Sequence, residues 1–369
     1  MKTLLSVLAF SSMLFAFSDV GDTASCKKCH PIIAQEFEIS MHRKSSIYDD
    51  KVYQAIWDKH PDKTKDNYSC SKCHTPNATT KEEQHAGITC ISCHTIADIT
   101  KHDRANENVY SKDKNTLYSA EAGRESEVVK YKTVTSWWGN KTTVGSAYHD
   151  IDYTNEKYYT GEMCMGCHSH KQNSHQFDVC RTEEEGAKNK KENCITCHMP
   201  KVGGSATTVR KSATHAYHGF AGARVEPRML AKYVEIGFLK YTNGFDISLE
   251  NRAPHNLLTH PLRVVQLKVI RVRDEIHTIH KTHTFVKAIG TKGKPSFPWL
   301  ANQVVKNSMI KANEKRVVNY NDDLERGDRI EVVLGFYVVN PKVLKKLNLQ
   351  DDKELSKFTV LKRQTFHID

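Results

Sequence analysis

Five copies of one pentapeptide, Cys-x-x-Cys-His, constrain this 369-residue chain more than any other feature. Each copy presents two thiols followed at once by an imidazole. This is the attachment signal for c-type haem, in which the thiols add to the two vinyl groups and the His binds iron from the proximal side. The pattern predicts five covalently attached haems, which use ten of the eleven cysteines. The predicted thiol attachments are Cys26, Cys29, Cys70, Cys73, Cys90, Cys93, Cys164, Cys167, Cys194 and Cys197, and the predicted proximal ligands are His30, His74, His94, His168 and His198.

Other cysteine chemistry explains this repeat less well. Structural zinc sites combine Cys-x-x-Cys knuckles in twos and have no need for a His after the second Cys. Iron–sulfur clusters use runs of Cys without that His. A disulfide framework does not repeat a single pentapeptide five times.

The N-terminus predicts export. Met1 and Lys2 precede a short apolar run from Leu4 to Phe17, and Ala16-Phe17-Ser18 fits a small-x-small cleavage site. We therefore expect residues 1–18 to be a cleaved signal peptide, with an uncleaved anchor as the alternative. No later segment is apolar enough to cross a bilayer. The expected location is the bacterial periplasm, where c-type haem is attached.

The formal net charge of +11 does not indicate nucleic-acid binding. Each haem carries two propionates, so five haems add about ten negative charges if all ionise. Only 38% of the residues are hydrophobic, which would give a chain of this length a modest core. We expect the haem macrocycles to replace part of that core.

The chain divides into three zones after the leader. Residues 19–223 hold all five motifs and predict a mainly α and irregular multihaem domain, organised around stacked haems. Residues 224–244 predict a connecting helix, because the apolar positions between Met229 and Ile236 recur near a period of 3.6. Residues 245–369 lack cysteine and form the third zone.

The third zone has the alternation of a β structure. Leu262–Arg273, Glu275–Ala288 and Ile330–Val339 contain period-2 stretches rich in β-branched residues. Turn residues such as Gly290 separate them. Residues 245–369 therefore predict a C-terminal antiparallel β domain of a sandwich-like kind.

The second axial position of each iron separates an electron carrier from an enzyme. Of twenty histidines, five are proximal, and the rest suffice for a second imidazole on every iron. The candidate distal ligands are His42, His85, His149, His215, His218 and His255, with one of the pair His215 and His218 expected to bind. His102, His170, His175, His260 and His283 are weaker candidates, because a lone His is more often a surface or hydrogen-bonded residue.

The eleventh cysteine, Cys180, stands outside the motifs in Phe177-Asp-Val-Cys-Arg-Thr. We expect a buried thiol that packs near a haem. An intermolecular disulfide and an unusual iron ligand are the alternatives.

Several local patterns resemble the multihaem c-type cytochromes of the cytochrome c-552/4 kind. The superfamily includes a tetrahaem electron shuttle, pentahaem nitrite reductase and octahaem hydroxylamine oxidoreductase. The matching patterns are Ser40-Met-His42 after the first motif, His85-Ala-Gly-Ile-Thr-Cys90 before the third, Val179-Cys-Arg-Thr182 before the fifth with its trailing Met-Pro, and Thr214-His-Ala-Tyr-His-Gly219. The resemblance implies distal-ligand roles for His42, His85 and His215.

The C-terminal zone is also similar to a module attached to such cytochromes, in which an Asn-x-x-Gly-His loop donates a distal ligand. Here the loop is Asn251-Arg-Ala-Pro-His255, with Pro254 in place of the glycine. The resemblance implies that His255 is a distal ligand contributed by the β domain.

Two functions follow. The favoured one is a periplasmic electron carrier with bis-His haems, which links a quinol dehydrogenase or another donor to a periplasmic reductase or oxidase; an oligomer is compatible with this. The alternative is a multihaem oxidoreductase that acts on a small nitrogen or sulfur compound at one open haem. The Cys-x-x-Cys-Lys motif of pentahaem nitrite reductase is not in the sequence, and no catalytic residue is assigned.

Overall fold

The computed structural model describes residues 23–65, 68–182, 185–189 and 191–369. The predicted signal peptide, residues 1–18, lies outside the described residues. The α-helices in the described part are α1 Thr23–Lys27, α2 Pro31–Ile39, α3 Lys51–Trp57, α4 Ser71–His74, α5 Cys90–His94, α6 Met165–His168, α7 Glu185–Lys188, α8 Cys194–His198 and α9 Pro341–Lys346. Short 3₁₀ helices cover Pro61–Lys65, Glu83–Ala86, Glu156–Tyr158, Glu162–Cys164, Pro227–Tyr233 and Pro298–Leu300.

These helices begin at residues suited to helix starts. Pro31 occupies the first turn of α2, where its missing N–H costs nothing. The Asp50 carboxylate caps α3 by accepting from the backbone N–H of Val52. Throughout the ranges given above, the helices are too short or too polar to span a membrane.

The haem-motif region also contains strands, which corrects the prediction of a mainly helical and irregular domain. They are β1 Ile96–Thr100, β2 Glu107–Tyr110, β3 Thr116–Tyr118, β4 Val128–Val129, β5 Lys132–Thr135, β6 Lys141–Val144, β7 Asp150–Asp152, β8 His170–Gln172, β9 Asp178–Arg181, β10 Lys201–Gly203 and β11 Thr214–Ala216. They form separate ribbons of two or three strands. Because most of them lack a deeply buried face, their sequences lack the apolar alternation that marks a strand.

The C-terminal region is antiparallel β structure, as predicted. Its strands are β12 Val234–Tyr241, β13 Gly244–Asn251, β14 Val264–Arg273, β15 Ile276–Ile279, β16 His283–Phe285, β17 Lys287–Thr291, β18 Lys294–Pro295, β19 Gln303–Asn307, β20 Lys315–Tyr320, β21 Arg329–Tyr337 and β22 Phe358–His367. One sheet has the order β12-β13-β20, a second the order β15-β14-β21-β22 with β16 also on β14, and a third the order β18-β17-β19.

A single hydrophobic core joins the first two of these sheets. Phe245, Ile247 and Leu249 alternate along β13 and are fully buried. Leu267 on β14 and Leu334 on β21 belong to the same cluster. The alternation of buried and half-buried residues is that of strands with one face on the core.

The predicted connecting helix over residues 224–244 is wrong over most of its length. Only Pro227–Tyr233 is helical, as a 3₁₀ helix, and Val234–Tyr241 is strand β12. β12 pairs with β13 from Val234 opposite Asn251 to Tyr241 opposite Gly244. Within Val234–Tyr241 the apolar residues Val234, Ile236 and Phe238 alternate with a period of 2, and pairing with β13 makes this segment a strand. The β sheet therefore begins at Val234, whereas the sequence placed its start at residue 245.

The haem-motif region packs against the C-terminal region. Val52 on α3 joins a cluster with Leu344 and Leu347 around α9. Asp50 accepts a hydrogen bond from Arg224 at 2.6 Å. These contacts hold the two regions in one arrangement, which the site geometry below depends on.

Candidate haem-binding sites

Each Cys-x-x-Cys-His motif lies on a short helical turn that presents its thiols together. Helices α4, α5, α6 and α8 all end at the motif His, so the two Cys of each motif lie three residues apart, on one helical face. Asn193 supports the last motif by accepting from the backbone N–H groups of Ile195 and Thr196. None of the eleven cysteines, all of which lie in the described ranges, forms a disulfide. The thiols are therefore available for attachment.

Four of the five proximal imidazoles are oriented by a hydrogen bond at Nδ1. His30 donates to the carbonyl of Ala206 at 2.8 Å, His74 to that of Ser45 at 3.0 Å, His94 to that of Tyr118 at 2.7 Å, and His198 to that of Ala221 at 2.6 Å. A carbonyl only accepts, so Nδ1 carries the proton and Nε2 is left with its lone pair. A carbonyl on one nitrogen is how proteins orient a metal-binding imidazole.

Three predicted distal histidines have the same arrangement. His149 donates from Nδ1 to the carbonyl of Asp150 at 3.2 Å, His218 to that of Ala216 at 2.6 Å and His255 to that of Asn256 at 3.0 Å. A fourth, His42, has a buried Nδ1 without a protein partner. In the three bonded rings Nε2 again remains free to bind a metal.

The free nitrogens belong to rings that pair across the chain. The ring centroids are 6.4 Å apart for His30 and His149, 6.3 Å for His94 and His218, 6.1 Å for His198 and His255, and 5.8 Å for His168 and His42. Two imidazoles bound to one metal, each by a bond of about 2 Å, have centroids separated by roughly 6 Å. The four pairs fit a bis-His iron.

Burial keeps these rings in the form that binds a metal. It lowers the pKa of His74, His94, His168 and His198, in each case as the largest effect. It also lowers the pKa of His42 and of His218 to about 3. An imidazole with a low pKa is neutral at physiological pH, and only neutral imidazole has a lone pair for iron.

Two of the predicted distal ligands are not placed opposite a proximal His. His215 is buried, and both of its nitrogens are engaged: Nδ1 with the carbonyl of Gly204 at 3.0 Å and Nε2 with the Glu36 carboxylate at 3.0 Å. His85 stacks on Tyr48 with ring centroids 3.7 Å apart. Of the pair His215 and His218, the geometry favours His218.

Glu36 is a residue that the sequence did not single out. Its second oxygen accepts from the backbone N–H of His218 at 2.9 Å, while its first binds His215. It therefore positions both members of the Thr214–Gly219 pattern. Nothing in the sequence marks Glu36, since its contacts come from residues nearly two hundred positions later.

The site of His74 differs from the other four. Within the described residues, the ring that contacts His74 is that of Tyr53, stacked with centroids 4.1 Å apart, and no imidazole faces it. The Tyr53 hydroxyl is buried beside Tyr68 and the Cys70 thiol. Burial is the largest cause that lowers the pKa of His74; the carbonyl of Ser45 and the charge of Asp50 oppose it, and the charge of Lys171 adds to it. This site combines a proximal His with an aromatic, an acidic and a basic side chain.

Thiols of different motifs lie next to one another. Hydrogen bonding to Cys26 and burial raise the pKa of Cys90. Hydrogen bonding to Cys73 and burial raise the pKa of Cys167 in the same way. Hydrogen bonding to Cys194 likewise raises the pKa of Cys164. The first motif thus adjoins the third, the second adjoins the fourth, and the fourth adjoins the fifth.

Cys180 lies on β9, paired with Lys171 of β8. Burial is the largest cause that raises its pKa. This favours the expected packed thiol over a reactive one.

Part of the sequence matches a known family, and the fold matches a solved structure. Residues 25–95, which contain the first three motifs, match the family described as cytochrome c554 and c-prime. A penta-heme cytochrome c552 from Thermochromatium tepidum has the same fold with a TM-score of 0.71, at 19% identity over 94% of this chain and 98% of that chain. The E. coli curli protein CsgC aligns to 36% of this chain and 95% of its own at 12% identity, with a TM-score of 0.18, too low for any argument. No curated protein matches the sequence.

The family match covers the patterns at His42 and His85, and the shared fold extends over almost the whole chain. The repeated attachment motif and the facing imidazoles are consistent with both. Residues 25–95 are therefore similar in sequence, and the whole chain is similar in fold, to multihaem c-type cytochromes of the cytochrome c-552/4 kind.

Proposed function

We propose that this cytochrome is a periplasmic pentahaem electron carrier, in which four irons have two imidazole ligands. The observation that carries the proposal is the set of four facing pairs, His30 with His149, His42 with His168, His94 with His218, and His198 with His255, at 5.8–6.4 Å. A bound haem supplies a one-electron centre.

The residues at these four sites favour electron transfer over substrate binding. If each pair held one iron, both imidazoles would bind it and no position would be left for a substrate. Carbonyls on Nδ1 hold most of the rings in place, which would limit the movement of these ligands during electron transfer. Bis-His ligation also gives a lower potential than His/Met ligation.

The adjacency of the motifs supports a continuous electron path. Burial is the largest cause that lowers the pKa of His94, the carbonyl of Tyr118 opposes it, and nearby His30 lowers the pKa further. Burial is also the largest cause that lowers the pKa of His168, and nearby His74 adds to it. For His198, burial again lowers the pKa most, and nearby His255 and His168 contribute. Cys93 of the third motif also lies near Cys164 of the fourth, whose pKa it raises after Cys194 and burial. The contacts thus link the first motif to the third, the third to the fourth, and the fourth to the second and the fifth, which favours closely spaced centres. The donor is a quinol dehydrogenase or a similar protein, and the acceptor a periplasmic reductase or oxidase.

A second candidate function rests on the His74 site. Tyr53 lies against His74 and Lys171 lies nearby, whereas no imidazole faces this ring in the described part of the chain. An open iron beside basic and aromatic groups suits reduction or oxidation of a small nitrogen or sulfur compound. In this candidate, four haems would carry electrons to or from the fifth.

Carbon monoxide titration of the reduced protein tests both functions. Because carbon monoxide needs an open axial position, we expect no more than one equivalent to bind per chain. Two or more equivalents would contradict the four bis-His pairs. No binding would leave the pure electron carrier and exclude the open His74 site.

The Tyr53→Phe variant tells the two functions apart. It retains the ring that stacks on His74 and removes the buried hydroxyl. If the second function holds, this variant binds carbon monoxide as before but loses turnover of nitrite, hydroxylamine or sulfite with a reduced dye as donor. If neither the unaltered protein nor the variant turns over these compounds, electron transfer is the remaining function.

A further inference from the structure

A two-stranded hairpin, residues 130–145, extends from the haem-motif region. Strands β5 and β6 pair from Lys132 opposite Val144 to Thr135 opposite Lys141. All eight strand residues are exposed. The turn is closed by the N–H of Ser136, which donates to the carbonyl of Asn140 at 2.8 Å. The two strands form a sheet of their own in the described residues.

The tip of this hairpin carries two adjacent tryptophans. Trp137 is 92% exposed and Trp138 is 83% exposed, and Tyr131 and Val134 beside them are exposed as well. Large aromatic side chains on a protein surface usually mark an interaction site when they cluster. A two-stranded hairpin alone is only marginally stable in water. Both facts indicate that something covers the tip.

The charge of the same segment is of one sign. Residues 128–149 contain Lys130, Lys132 and Lys141 and no Asp or Glu. The hairpin therefore combines an aromatic tip with a basic stem. It forms a projecting ridge, and the exposed residues lie on both of its faces.

We propose that this hairpin docks the protein on an anionic phospholipid surface. Trp side chains favour the level of the lipid headgroups, because the ring is apolar and the indole N–H donates a hydrogen bond. Lys141 just behind the tip, and Lys132 and Lys130 farther along the stem, form a positive charge that anionic phosphates attract. A second copy of the chain or a partner protein would need a groove to receive the ridge, whereas a lipid surface accepts a projecting tip directly.

The base of the hairpin lies beside one of the imidazole pairs. Gly145 closes the base with a φ of +82°, and a side chain there would collide with the carbonyl of Lys130. His149 follows four residues later and faces His30. Resting on the proposed function, this short connection makes the His30 haem the candidate to accept electrons from a membrane donor.

Vesicle co-sedimentation of the intact holoprotein tests the docking. The probes are phosphatidylcholine vesicles with and without phosphatidylglycerol, and bound protein is read from haem absorbance. We expect binding only to the anionic vesicles, weakened by salt. The double variant W137S/W138S should bind on the order of tenfold more weakly, as should K130Q/K132Q/K141Q. Two variants of different chemistry keep the test valid if one of them fails to fold.

The control variant is I276S/I279S on β15, a second hairpin with exposed apolar residues, at 69% and 74% exposure. It should bind as the unaltered protein does. Equal binding by all variants, or no binding to either vesicle, would overturn the proposal. A dimer in solution that W137S/W138S dissociates, without lipid binding, would assign the hairpin to self-association instead. Carbon monoxide binding is unaffected by any of these outcomes, so this test fails independently of the proposed function.

Discussion

At the scale of single residues, a free Nε2 separates the proposed ligands from a structural histidine. His215 and His218 lie three positions apart in one short pattern, and the sequence left both open. Both ring nitrogens of His215 are hydrogen-bonded, whereas only Nδ1 of His218 is. That difference depends on Glu36, which is brought there by the fold. Sequence could count enough histidines for every iron, but it could not assign them.

Replacing His218 by Ala should open one iron. The expected result is one more equivalent of carbon monoxide than the unaltered protein binds, and a new high-spin ferric signal, because His94 would lose its facing imidazole. The matched control His215→Ala should add no carbon monoxide. It should instead destabilise the protein by about 1–3 kcal/mol, since the half-buried Glu36 carboxylate loses one of its two partners.

The reverse result would reassign the ligand. Extra carbon monoxide bound by His215→Ala and not by His218→Ala would show that the rings exchange places around the iron.

The His42 and His168 pair should have its own magnetic signature. Its ring planes are at 89°, whereas the other three pairs are within 15–29°. Perpendicular imidazoles leave two iron d orbitals nearly equal in energy, which makes the ferric g-tensor strongly anisotropic. We expect one strongly anisotropic low-spin signal beside three rhombic ones in the electron paramagnetic resonance spectrum. His42→Ala should remove the former and His149→Ala one of the latter.

The carboxylate of Asp328 makes the free energy of unfolding depend on pH in the acid range. It is buried and accepts from Arg273 at 2.8 and 2.7 Å, and this hydrogen bonding is the main cause that lowers the pKa of Asp328. A carboxyl with a folded pKa below its unfolded value of about 3.9 adds stability above that pH. This stability is lost as the pH falls through the folded pKa.

Asp328→Asn should therefore cost about 1–3 kcal/mol at neutral pH and progressively less below pH 4. Denaturant unfolding at several pH values measures it. A cost that does not change with pH would mean that the pair with Arg273 is not its source.

At the scale of elements, the sequence predicted strands well where one face is buried. Leu262–Arg273 and Ile330–Val339 correspond to β14, Val264–Arg273, and β21, Arg329–Tyr337. It failed where burial does not alternate, as in β5 and β6, and where two periods fit the same residues, as in Val234–Tyr241. In the latter case β13 supplies the partner, and pairing between distant segments is not visible in a local window.

The centre of β13 should be the most sensitive part of the β sheets. Ile247 is fully buried there, and Ile247→Ala should cost about 2–5 kcal/mol by leaving a cavity in the shared core. Ile276→Ala removes the same atoms from a side chain that is 69% exposed, and should cost less than about 0.5 kcal/mol. Denaturant unfolding followed by circular dichroism compares them. Similar costs for both would contradict the assignment of the core.

At the scale of the whole molecule, the haem-motif region has few buried apolar residues compared with the β sheets. Phe37, Trp57, Ile96 and Tyr158 are among those few, while the main hydrophobic cluster lies after Val234. The low hydrophobic content had suggested this from the sequence alone. We expect five haem macrocycles to complete the core of the haem-motif region, and the number of covalent haems is the first test of this.

The exported protein should carry five covalent haems. Its intact mass should equal that of the chain from residue 19 onward plus five haem masses. Retention of residues 1–18 would contradict cleavage of the leader, and four haems in a fully matured sample would contradict the count. Expression without the attachment machinery should give a chain that is digested by proteases, because ligation contributes to folding free energy.

The four imidazole pairs also have a consequence for the order of folding. His30 with His149, His42 with His168, and His94 with His218 close loops of roughly 120 residues each, and long loops are slow to close. These loops overlap along the chain, and the last of them extends beyond residue 198, where the loop to His255 begins. In a chain exported N-terminus first, the proximal histidines His30, His94 and His198 would become available well before their partners, whereas His168 would follow His42. During that interval other histidines would compete for the same irons. Glu36 binds Nε2 of His215 and so removes one of these competitors from the neighbourhood of His218.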